Sequence, residues 1–137
     1  MRHAPMILPA ALVLAACTAT PGPEMSTGMT VVDVTAAYRE RILLPSDHVL
    51  TVRIEDVSLA DAPAKVLAES SQPLSGGPPY VVTLGVPTGQ IDPRHTYAAR
   101  AEIRDAAGRL VFVTDTRHAV LTQGATASAD IVLKSAR

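Results

Sequence analysis

The residues able to do chemistry are few, and their spacing argues against a catalytic centre. His48, His95 and His118 could together hold a zinc ion with an open position. No close pair such as H-x-x-x-H preorganises them, so solvated histidines at strand ends are the better reading. A serine hydrolase would need Ser, His and an acid brought together, often on a strained turn. G-x-S-x-G is absent, and the glycines beside Ser75 belong to the proline-rich run Ser75-Gly76-Gly77-Pro78-Pro79. Paired carboxylates could do glycosidase chemistry. Asp92 and Asp105 have turn explanations, however, and Glu55 and Asp130 fall on polar strand faces. No calcium loop or phosphate-binding glycine loop is present. No catalytic residue, metal or cofactor is expected, and the chain is expected not to be an enzyme.

One cysteine occurs in 137 residues, so no disulfide forms within the chain. Its position gives it a use. Residues 1–17 read MRHAPMILPAALVLAAC. Arg2 supplies a positive start, and Met6–Ala16 form an apolar stretch of signal-peptide length. That stretch is shorter than the roughly 20 residues a membrane-spanning helix needs. Leu14-Ala15-Ala16-Cys17 resembles the lipobox of bacterial lipoproteins. The resemblance implies cleavage between Ala16 and Cys17 and a covalent lipid on the Cys17 sulfur. Thr18 follows where inner-membrane lipoproteins tend to carry Asp, which implies the periplasmic face of the outer membrane. The cysteine then serves as an anchor rather than a nucleophile.

The elements behind these residues read as strands. Residues 18–29 contain Pro21, Gly22 and Pro23, which deny helix and sheet. As a flexible coil this tether spans roughly 17 Å. The expected organisation is a signal peptide over 1–16, a lipidated Cys and tether over 17–29, and one domain over 30–137. In His48–Val57, Leu50, Val52 and Ile54 alternate with Thr51, Arg53 and Glu55, the period of a half-buried strand. Tyr97–Arg104 repeats the pattern, as do Ala129, Ile131 and Leu133 near the C-terminus. Tyr80–Val86 and Leu110–Val113 are apolar on both faces and suit strands covered on both sides. Thr30–Val34 and Tyr38–Leu44 predict a first strand interrupted at Ala36-Ala37. Turn chemistry separates these runs: Pro45-Ser46-Asp47, Asp92-Pro93-Arg94, and the hairpin loop Asp105-Ala106-Ala107-Gly108. Strands at this spacing suit a β-sandwich or a barrel. A compact β-sandwich of about seven to eight mostly antiparallel strands is the expected form.

Composition excludes several roles. A net charge of −1 leaves no broad basic field for nucleic acid. With 3% aromatics and no Trp, stacking platforms are not expected. Arg39 and Arg41 would share one strand face, where they could meet an acidic partner or lipid head groups. Protection of a sheet edge by charge is the plainer explanation.

Several runs carry a family likeness. Tyr38-Arg39-Glu40-Arg41-Ile42-Leu43-Leu44-Pro45, Val52–Pro63, Ile91–Tyr97 and Gly108–Thr116 resemble the YbaY family of lipoproteins, in the family's order. That family is grouped with the YscW-type pilotins of type III secretion, which assist the outer-membrane secretin ring. The resemblance implies a non-enzymatic envelope lipoprotein, held to the membrane by its anchor, that binds envelope or secretion proteins in a chaperone or pilotin manner. A structural or stress-linked envelope role, or carriage of a small apolar ligand, are the alternatives. The likeness also bears on Ala60–Glu69. With its capping Asp61 and early Pro63, that segment alone reads as a short helix. A strand over residues 65–72 is expected instead.

Overall fold

The computed structural model describes residues 28–137. The signal peptide, the Ala16–Cys17 cleavage point, the lipid site and nearly all of the tether lie outside the described residues. Eight strands follow in order: β1 (Met29–Tyr38), β2 (Val49–Asp56), β3 (Lys65–Pro73), β4 (Tyr80–Pro87), β5 (Tyr97–Arg104), β6 (Leu110–Val113), β7 (His118–Val120) and β8 (Ser128–Ser135). One 3₁₀ turn, Thr88–Gln90, lies between β4 and β5.

Period-two alternation builds the core. Val32, Val34, Ala36 and Tyr38 of β1 point inward, as do Leu50, Val52 and Ile54 of β2. Tyr80, Val82, Leu84 and Val86 of β4 meet Tyr97, Ala99, Ala101 and Ile103 of β5 in one continuous cluster. Phe112 of β6 and Ala129, Ile131 and Leu133 of β8 complete it. Each fully buried Val, Leu, Ile or Phe contributes about 1.5–3 kcal/mol. β-Branched residues recur at these inward positions because they suit a pleated, packed surface.

The strands are hydrogen-bonded in the order β3-β2-β5-β6-β8-β1-β4, with β7 paired to β5. Only β1 and β8 run parallel, Asp33–Tyr38 against Ser128–Leu133. At its end β8 pairs Lys134 and Ser135 with β6. The expected two-sheet sandwich is therefore modified. By pairing with both β1 and β6, β8 makes the hydrogen-bonded path unbroken. The result is a mixed eight-stranded sheet curled almost into a barrel. Its two ends, β3 and β4, are consecutive strands that pack side by side without a ladder between them.

Other expectations are corrected by the same geometry. The first strand is uninterrupted through Ala36 and Ala37, and residues 39–44 form a loop. Strand β4 is not covered on both faces: Val81, Thr83 and Gly85 point outward and are exposed. In β6 only Phe112 is buried. Residues 65–73 form a strand, the expected choice over a helix, because β2 recruits them along its edge. Asp105 does close the hairpin, accepting N–H bonds from Ala107 and Arg109. Gly108, at φ +80°, takes the left-handed position that glycine favours.

A seam on β5 needs a special device. Strands β6 and β7 pair successively with the same edge of β5, leaving a break at residues 114–117. Thr114 fills the missing rung. Its Oγ1 accepts the Ala101 N–H at 2.8 Å and donates to the Ala101 carbonyl at 2.9 Å. The Thr114 N–H reaches that same carbonyl at 3.0 Å. A buried threonine thus replaces strand pairing where the wall would otherwise open.

Candidate functional site

The barrel has two chemically distinct ends. Gly28 enters at one end, where its carbonyl accepts the Thr88 N–H and β1 begins beside the close of β4. Ten residues at about 3.3 Å each carry β1 some 33 Å to the other end. There β1, β5 and β8 finish, and an open groove of about 710 Å³ lies between their connections. That volume falls within the usual range for ligand-binding clefts.

Three pieces of chain shape the groove. Glu40, Ile42 and Leu44 form one wall, Asp105–Ala107 and Arg109 form the opposite one, and Val111 and Phe112 contribute apolar surface from β6. Asp47, His48, Ser135 and Arg137 also line it. The Tyr38 hydroxyl donates to the Ile42 carbonyl at 3.0 Å, drawing the first wall back over the strand that precedes it. Beneath, the Tyr38 ring stacks on Phe112 with centroids 4.8 Å apart, and Tyr80 sits 6.4 Å from Tyr38. Burial, then the neighbouring Tyr38 hydroxyl, pushes the Tyr80 hydroxyl up to about 12. The charges are largely self-paired: Asp105 with Arg109 at 2.8 Å, Asp47 with His48 at 2.8 Å. The Arg109 backbone N–H, then its guanidinium and the Ala107 N–H, hold the Asp105 carboxyl below the usual carboxylate range. The groove therefore offers apolar surface beside the Asp105–Arg109 pair, with Glu40 and Arg137 also on its rim. Such a surface recognises side chains. Backbone recognition is not available at β6, which is already paired with β5 and β8, and the Val111 carbonyl takes the Ala136 N–H.

The opposite end holds a polar cluster. Asp56 Oδ1 accepts from the Ser58 N–H at 3.0 Å and from the Ser58 hydroxyl, while Oδ2 meets His95 Nδ1 at 2.6 Å. The Ser58 hydroxyl also accepts the Thr96 N–H. The acid thus stands between serine and histidine, whereas a nucleophile relay needs histidine in the middle. This is a clasp joining the loops after β2 and before β5. The Ser58 hydroxyl bond, the Ser58 N–H and then His95 lower the Asp56 pKa. On the outer wall, Arg53 bonds Glu69 and lies 3.5 Å from Glu102. Glu55 is buried there, its Oε2 without a hydrogen bond and its nearest cation, Arg100, at 3.9 Å.

The three histidines do not converge. His48 pairs with Asp47, His95 with Asp56 and His118 with Thr116. Among the described residues, no cluster of three metal-binding side chains occurs. Arg39 and Arg41 are exposed on the loop that follows β1, not on a strand face. Edge protection does not explain them either, because β1 lies inside the sheet between β8 and β4. Sequence reasoning missed the groove. Its one readable trace is the alternation Glu40, Ile42, Leu44, which continues past the strand end and lines one wall.

The family described as type III secretion system lipoprotein chaperone (YscW) matches residues 27–133. YbaY, an uncharacterized lipoprotein of Escherichia coli K12, is 35% identical over 145 aligned positions, covering 92% of this chain and 74% of its own length. The solved structure of an alternative pilotin from the type II secretion system of Vibrio cholerae superposes with a TM-score of 0.76 at 37% identity. That match covers 80% of this chain and 99% of the pilotin chain.

Proposed function

We propose, from the premise that the chain belongs to the YscW family of lipoprotein chaperones, that it is an outer-membrane lipoprotein anchored through Cys17 and acting as a pilotin-like helper of a secretion or envelope protein. One observation carries the reading: the apolar groove opens at the end of the barrel opposite the entry of the tether. An anchored domain would keep that groove clear of its own tether. A partner segment could then be bound by side-chain burial while the lipid keeps the pair at the membrane. The solved pilotin with the same fold supports such a role. The alternative of an apolar ligand carried inside the sheet has less support. The interior is filled by Val32, Leu50, Ile54, Tyr97, Ile103 and Phe112, all nearly or fully buried.

A photo-crosslinking residue at Val111, in cells, tests the proposal. The expected result is one dominant adduct with an envelope secretion protein, lost from the membrane fraction in Cys17→Ala. No adduct at Val111, or a Cys17→Ala chain that stays firmly in the outer membrane, would sink it.

A further inference from the structure

We propose that the outer face of β1 and β4 rests on the membrane surface to which the chain is tethered. The inference builds on the Cys17 anchor proposed above.

Outward-facing residues of a solvated sheet are ordinarily polar. Here Met29 is 58% exposed, Val31 52% and Val81 64%, and all three share one face. Leu43, 71% exposed, stands on the loop beyond the far end of that face. Gly85 adds to its flatness. A Cβ there would lie 2.8 Å from the Met29 methyl, so glycine lets the methionine lie along the strand pair. Met29 and Val31 lie together at one end of this face and Val81 at the other, on either side of the Asp33–Thr83 pair, and so many exposed apolar side chains on one strand pair point to an interaction site.

Three observations favour lipid as the occupant. First, the face starts where the tether ends: Gly28 is bonded to Thr88, and Met29 pairs with Pro87. Only ten residues separate Cys17 from Gly28, and a flexible chain of that length spans roughly 17 Å, short beside the length of β1. The start of the apolar face therefore stays close to the bilayer. Second, Arg39 and Arg41 stand beyond the other end of the same strand, exposed on either side of Glu40 and, among the described residues, in no ion pair, so the stretch carries a net positive charge. Apolar side chains inserted at the acyl boundary, with cations at the phosphates, are how interfacial elements bind. Third, the face carries one acid, Asp33, whose Oδ1 already accepts the Thr83 hydroxyl at 2.8 Å. Asp130 stands on the bordering β8, opposite Thr35. In this pose the barrel lies on its side, and the groove opens along the membrane.

The test uses the full lipidated chain, reconstituted into vesicles of phosphatidylethanolamine and phosphatidylglycerol with brominated acyl chains. A maleimide dye is placed through Val31→Cys, Val81→Cys or, as a control, Ala119→Cys on β7, which is exposed and pairs with β5. Bromine should quench the dyes at 31 and 81 and leave the dye at 119 bright. Equal brightness at all three positions would overturn the inference. Arg39→Glu combined with Arg41→Glu should weaken quenching at 81 in these anionic vesicles and not in phosphatidylcholine. Unchanged quenching there removes the cations from the contact and overturns that part. The unsubstituted chain separates the two proposals. Dye uptake at Cys17 defeats the anchor and everything built on it, whereas no uptake with bright dyes at 31 and 81 defeats the resting face alone.

Discussion

Replacing Thr114 by valine should destabilise the domain far more than replacing it by serine. Valine keeps the volume and removes the oxygen. The Ala101 N–H then loses the acceptor it holds at 2.8 Å, and Thr114 is buried, so water does not readily replace it. Leaving such a donor unsatisfied costs about 1–3 kcal/mol. The Ala101 carbonyl loses the hydroxyl but keeps the backbone N–H of residue 114 at 3.0 Å. Serine retains both hydroxyl bonds and gives up one methyl group, about 0.8 kcal/mol. For a domain of this size, 1 kcal/mol shifts the midpoint of thermal unfolding by about 4 °C. Urea denaturation measures the difference, with an unchanged slope showing that only stability has moved. Amide exchange locates it, since the Ala101 proton should exchange much faster in the valine variant than in the serine one. A valine variant as stable as the serine variant, with Ala101 still protected, would refute the idea that this side chain replaces a ladder rung.

Other consequences can be measured as directly. The folded pKa of Asp56 is depressed, so its clasp contributes stability above the ordinary carboxylate range and loses it as pH falls through the folded value. Urea midpoints against pH should show that loss, and Asp56→Asn should flatten part of the slope. Tyr80 is raised to about 12, so its share of stability is full below about pH 10 and declines as pH rises toward 12. In an absorbance titration, Tyr80→Phe should delete a tyrosinate step near pH 12. Val111 is half-buried on the groove, so Val111→Asp should abolish partner adducts formed from a crosslinker at Ile42 while moving the urea midpoint little. A large loss of stability in that variant would make it a core position instead.

Much of the sheet was legible because alternation is a strong local signal. Tyr97–Arg104 and Leu110–Val113 match the observed strands at both ends, and Leu50, Val52 and Ile54 face inward as their spacing requires. Elsewhere the local signal misled. Val81 and Gly85 masked the alternation of β4, because one outward residue is apolar and another has no side chain to classify. Ala36 and Ala37 looked like a break, yet pairing with both β4 and β8 carries the strand through them. At three residues, β7 was too short to register a period. The groove was less legible still. Its walls come from residues 40–48, 105–112 and 135–137, which meet only once β1, β5, β6 and β8 lie side by side. Nothing local records that meeting, and the self-paired charges around it read individually as turn residues.

The one parallel pair has a consequence for how the molecule is made. Among the described residues, the first strand, β1, is flanked by β4 and by the last, β8. Ninety-five positions separate Asp33 from its partner Ser128, and such distant pairing is slow to form. The barrel wall therefore stays incomplete, and open to handling, until β8 has docked against β1. Losing a handful of C-terminal residues would harm the end of β1 at Tyr38, and the groove beside it, although these stand far back along the chain.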